Sequence, residues 1–147
     1  MIDFSGLVKD EAVNWIQIQR FLESATVKLK KAEKVVPIDE QTGFQMAYDA
    51  MLRGSLAFML SLGKRPRSSV GHHKVIVEFV GSMFGAQYHS LMKSFDIMRR
   101  KRNEAIYEPV STITEKEAID AIDTAQRYIQ VMIREIQARN PQQKLNV

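Results

Sequence analysis

Apolar residues recur by threes and fours along almost the whole chain, and this spacing leaves room for little except long amphipathic helices. Trp15, Ile18, Leu22, Ala25, Leu29 and Ala32 line one face of a first helix, expected from about Lys9 to Lys34. Lys28, Lys30, Lys31 and Lys34 crowd its end, where cations suit the helix dipole. Val36-Pro37 then stops it. A second helix runs from Asp39, an expected N-cap, to Gly63, an expected C-terminal glycine. Its apolar face (Phe44, Ala47, Tyr48, Met51, Leu52, Leu56, Met59, Leu62) is broad enough for a central, buried helix, and Gly54 invites close packing with a neighbour.

Lys64 to Val70 reads as a basic loop. The segment from Gly71 through His72 to Met83 contains Val75-Ile76-Val77, which has strand character. A lone strand would leave its backbone unpaired, so a third helix is expected. A fourth spans about Ala86 to Glu108 with Tyr88, Leu91, Phe95 and Met98 on its apolar line, and Pro109 follows it. Thr114 with Glu117 three residues on is a capping-box signature that opens a fifth helix. Ala118, Ile122, Ala125, Ile129, Met132 and Ile136 carry its buried face to about Ala138. The 147 residues thus predict one all-α domain, an up-and-down bundle of four to five helices with its core in about 9–138 and a tail, 140–147, that frays.

Composition narrows the function classes. With no cysteine, disulfides and thiolate metal sites are excluded. A net charge of +4 permits contact with nucleic acid without requiring it. The first residues lack the basic and apolar regions of a leader, and Ala47 to Leu62, the most membrane-like stretch, is short and broken by Asp49 and Arg53. A cytoplasmic protein without membrane contact is expected.

The fourth helix breaks its own pattern. Continued by four, the line Leu91, Phe95, Met98 lands on Arg102, inside the run Arg99-Arg100-Lys101-Arg102-Asn103. An arginine at a core-facing position must reach water, pair with a carboxylate or face a cleft. One reading is a solvated basic helix end with Arg102 in a structural ion pair. The other is a binding cleft. Asn103 and Tyr107 share a face, and Tyr107 lies roughly 140° around the helix from Arg102, so the two flank one cleft without stacking. His72 and His73 point about 100° apart and make a poor metal pair. They are weaker site candidates, and His89 reads as structural or exposed. No metal site, phosphate-cradling glycine loop or nucleophile elbow is expected.

Taken in order, these features resemble the HEPN family, the higher eukaryote and prokaryote nucleotide-binding domains. The resemblance rests on Ala47-Tyr48-Asp49-Ala50, the Gly63-x-Arg65-Pro66 loop and Gly71-His72. To these are added Phe95-x-x-Met98-Arg99-Arg100-x-Arg102-Asn103-x-x-x-Tyr107 and the capped last helix. It implies a helical homodimer. Many members carry Arg, four intervening residues and His, and in the dimer two such motifs form a metal-independent ribonuclease site. Others bind nucleotides or act beside a small nucleotidyltransferase partner, as in toxin–antitoxin pairs. Here Tyr107 stands where the ribonuclease members have His. Tyrosine, with a reference pKa of about 10, is a poor general base at neutral pH. The reading that follows is a dimeric nucleotide- or RNA-binding module. Arg102 would grip phosphate, Asn103 orient it and Tyr107 hydrogen-bond or stack, while Arg99 and Arg100 attract the anion. No cofactor is called for. The alternatives are a metal-independent endoribonuclease toxin with a divergent site, and a non-catalytic scaffolding dimer.

Overall fold

The computed structural model describes residues 3–67 and 72–147. Five helices, α1 (Trp15–Val35), α2 (Glu40–Ser61), α3 (His72–Ser82), α4 (His89–Tyr107) and α5 (Glu115–Arg139), make an all-α bundle. The only strands among the described residues are two short pieces, β1 (Val8–Asp10) and β2 (Lys64–Pro66). No helix among them is long and apolar enough to cross a membrane.

The strands correct two expectations. The first helix starts at Trp15 instead of Lys9, because Asn14 caps it. The Asn14 Oδ1 accepts from the Ile16 and Gln17 backbone N–H groups at 3.1 and 3.2 Å. The residues before it pair antiparallel with the start of the basic loop, Val8 opposite Pro66 and Asp10 opposite Lys64. Each segment supplies the other's missing backbone partners. Asp10 with Lys64 and Glu11 with Arg65 add ion pairs across the ladder. Gly63, at φ +73, makes the left-handed turn between α2 and β2. The rest of that loop, 68–70, and Gly71 lie outside the described residues.

α2 is the axis of the bundle and packs chiefly against α1 and α5. Its broad apolar face is consumed inside the chain: Tyr48, Met51, Phe58 and Met59 are fully buried. α3 is a helix throughout, and Val75-Ile76-Val77 are buried core. α4 begins at His89, after a single 3-10 turn over Ala86–Tyr88, and stops before Pro109. The capping box of Thr114 and Glu117 forms at the start of α5. The tail, expected to fray, folds back on the bundle. Asn146 exchanges hydrogen bonds with the Gln19 side chain, and the Leu145 N–H donates to Gln137 Oε1.

Two glycines of α2 predict opposite outcomes. A methyl group at Gly54 would rest 3.5 Å from Ile129 and 3.7 Å from Met132, an ordinary contact with α5. Gly54→Ala should therefore stabilise the chain by up to about 1 kcal/mol through helix propensity. A methyl group at Gly43 would collide with the Val36 Cγ2 atom and crowd the Val36 backbone at 3.1 Å, where α1 turns into α2. Gly43→Ala should cost about 1–3 kcal/mol. Urea denaturation of the two variants checks both signs.

Candidate functional site

A column of rings fixes the floor of the site. Phe95 of α4 lies 5.7 Å from the Tyr48 ring of α2 and 4.8 Å from the Tyr128 ring of α5, and none of the three is exposed. The Tyr128 hydroxyl is satisfied by Ser55 Oγ at 2.5 Å. One turn beyond Met98, the inward line of α4 reaches Arg102, and the next turn closes with Ala105, only 2% exposed. Arg102 thus emerges where the core ends. Its Cζ lies 6.0 Å from the centroid of the Tyr48 ring, a cation–π distance. Its side chain is half-buried and donates a long 3.4 Å hydrogen bond to Asn103 Oδ1.

The neighbouring cations are engaged and Arg102 is not. Arg99 and Arg100 each contact Asp96 at 3.0 Å, and Lys101 reaches Glu117 at 3.3 Å. Among the described residues Arg102 has no carboxylate within 4.0 Å. The structural ion pair that would have explained it is therefore missing, and its fork of N–H donors remains available to an anion.

α3 adds a group that the spacing along α4 could not reveal. The His73 Nδ1 lies 3.3 Å from the Tyr48 hydroxyl, with ring centroids 5.7 Å apart. Burial foremost, and then the charges of Arg102 and His72, push the His73 pKa down, so its imidazole is neutral at pH 7. Burial pushes the Tyr48 hydroxyl up, against the pull of Arg102 and Arg99, so it keeps its proton. It can then donate to Nδ1, which leaves the Nε2–H of His73 as a donor. His72 packs beside His73 at 5.9 Å between centroids and lines the same cleft, with Asp49, Arg53 and Phe21.

The sequence-predicted residues thus divide. Arg102 and His73 both meet Tyr48, with Asn103 beside Arg102 and His72 beside His73. Arg99 and Arg100 sit on the same turn but share their charge with Asp96. Tyr107 is 85% exposed at the end of α4 and takes no part in the Arg102 seat. α4 ends there, and among the described residues the Tyr107 ring faces outward, without the cleft expected between it and Arg102. The apolar spacing of α2 marks Tyr48 as core alone. Asp49 next to it and Arg53 one turn further on, both only partly buried, were the signal that this stretch reaches a surface.

A pH dependence follows from His73. Its folded-state pKa lies below the ordinary 6.5, so in the window between the two values the unfolded chain binds more protons. Stability is full above about pH 6.5 and falls as pH drops through that window. His73→Gln should flatten the dependence, seen as urea midpoints that differ less between pH 7.5 and pH 5.5 than in the unaltered chain.

No family model matches the chain, and no curated protein matches it. Among solved structures it is similar to TT1696 from Thermus thermophilus, with a TM-score of 0.61 over 82% of this chain and 98% of that one, at 18% identity. At that identity the likeness is one of fold alone, a shared helical architecture that carries no function with it.

Proposed function

We propose that this chain is a HEPN-like nucleotide- or RNA-binding module, cytoplasmic and homodimeric, that seats a phosphate on Arg102. The observation that carries the reading is a half-buried guanidinium, held over the Tyr48 ring with no carboxylate partner among the described residues, while every other cation of its turn is paired. An arginine left free in such a place serves a planar, bidentate anion better than it serves stability. Asn103 holds one edge of the fork, and the His73 Nε2–H offers a further donor.

A second reading, metal-independent RNA cleavage, is favoured by one specific feature. His73 is neutral and stands across Tyr48 from Arg102, so an imidazole is available although Tyr107 replaces the histidine of the family motif. In the tautomer that carries its proton on Nδ1 and donates it to the Tyr48 oxygen, the bare Nε2 is suited to taking the proton of a 2′-hydroxyl as it attacks the adjacent phosphate. A fluorescein-labelled pentauridylate incubated with the protein in EDTA separates the two. Anisotropy that rises while a denaturing gel shows intact RNA supports the binder. Cleavage lost in His73→Gln with binding retained supports the nuclease. No binding at low salt and high protein concentration contradicts both.

The dimer rests on what α4 leaves uncovered. Ile97 is 56% and Ile106 50% exposed, whereas the face of α2 is spent within the chain. Sedimentation equilibrium should give a mass of about twice the 16.9 kDa of one chain. A small nucleotidyltransferase is the partner that the family resemblance suggests, in a toxin–antitoxin pairing.

A further inference from the structure

Two clefts on the α1 side of the bundle share Phe21 and Arg53. One, of about 210 Å³, has Asp49, His72 and His73 in its wall. The other, of about 370 Å³, is lined by Gln17, Arg20 and Ser24. They meet at Phe21 and Arg53, which sets His73 at one end of the pair and Arg20 of α1 at the other. Asp49, the carboxylate in the first cleft's wall, is drawn to Lys28 at 3.8 Å. Arg53 has no carboxylate within 4.0 Å among the described residues, and its Nη1 donates to Ser24 Oγ at 2.9 Å. That bond fixes the plane of the guanidinium and leaves its other N–H groups unspent. Arg20, exposed on α1, is likewise without an ion pair among the described residues. Half-buried Phe21 sits between them as an apolar wall.

We propose that Arg53 and Arg20 form a second phosphate subsite, occupied by a later phosphate of the same single-stranded RNA whose first phosphate sits on Arg102; this rests on the reading given above. Spacing selects the ligand. Tyr48, beneath Arg102, and Arg53 are five residues apart, about 7.5 Å along α2 and roughly 140° around it, so Arg53 leaves the Tyr48 side and reaches Ser24 of α1, beside Arg20. Adjacent phosphates of a nucleoside triphosphate share a bridging oxygen and do not span such intervals. Phosphates joined through a sugar do. The clefts admit a base or a sugar but not a duplex, and Phe21 offers a face on which an unstacked base rests.

The test is fluorescence anisotropy in EDTA over a series of KCl concentrations, with labelled pentauridylate and, by competition, UMP. The proteins are the unaltered chain, the Arg20→Ala/Arg53→Gln double variant, Arg20→Ala alone and Arg102→Ala. The double variant should bind pentauridylate about tenfold more weakly, with a salt slope smaller by about 0.7 for each phosphate no longer neutralised, and bind UMP as before. Glutamine keeps a donor for Ser24. Should the double variant still misfold, Arg20→Ala, at an exposed position, should by itself weaken the pentamer about threefold. Unchanged pentamer affinity and slope, or equal losses for UMP and pentamer, would overturn the subsite. If Arg102→Ala changes nothing while the double variant still weakens the pentamer, the Arg102 reading falls and the pair of clefts stands as a site of its own.

Discussion

Arg102→Ala should weaken the binding of a short single-stranded RNA by about ten- to a hundredfold while leaving the chain folded. The magnitude follows from removing charge-assisted hydrogen bonds of about 1.5–3 kcal/mol from a partly desolvated seat. The fold survives because the guanidinium emerges at the edge of the core and has no carboxylate to orphan among the described residues. What stability is lost is its contact with the Tyr48 ring, worth about 0.5–1 kcal/mol. Arg102→Lys should recover only part of the affinity, since an ammonium keeps the charge but not the planar fork. Anisotropy with pentauridylate measures the first effect and urea denaturation the second. A variant that binds RNA as well as the unaltered chain would leave Arg102 as an ordinary solvated cation.

Phe95→Ala should be the most damaging single truncation near the site, at about 3–5 kcal/mol. The ring is fully buried and bridges Tyr48 and Tyr128, so its removal opens a cavity where α2, α4 and α5 meet. Against a total stability of about 5–15 kcal/mol this is a large fraction. The same change frees Tyr48 on one side, which loosens the support of both Arg102 and His73. Phe95→Leu, nearer in volume, should cost less than half as much. The midpoint of urea unfolding reads the stability. RNA affinity, measured where each variant is still folded, reads the support.

How much of this was legible in the residues depended on whether the signal was local. The 3.6-residue period marks the helices and their buried faces. Caps such as Asp39, and Thr114 with Glu117, lie within one turn, and both form as the spacing implies. The start of α1 was misplaced because the β1–β2 pairing joins segments more than fifty residues apart, and no short window contains both. Asn14, immediately before Trp15, was the local sign of the true boundary. At the site, Arg102 stood out because it interrupts an apolar line on its own helix. Tyr48 and His73 belong to two other helices, and only packing brings them to it. Tyr107 was assigned by its spacing from Arg102, a spacing that says nothing about whether a neighbour covers that side of the helix. The pairing of Arg99 and Arg100 with Asp96 lies three and four residues away and was available to a reading of charge spacing.

The central claim is that Arg102 and His73, from different helices, face one anion across Tyr48. Side-chain NMR, following the Arg102 Nε–Hε and His73 imidazole resonances as pentauridylate is added in EDTA, tests it most directly. Both should move together along one saturation curve, and the pKa of His73 should rise as the bound phosphate offsets the charge of Arg102. Resonances that stay in place at saturating RNA, or a His73 that titrates the same with and without it, would contradict the account.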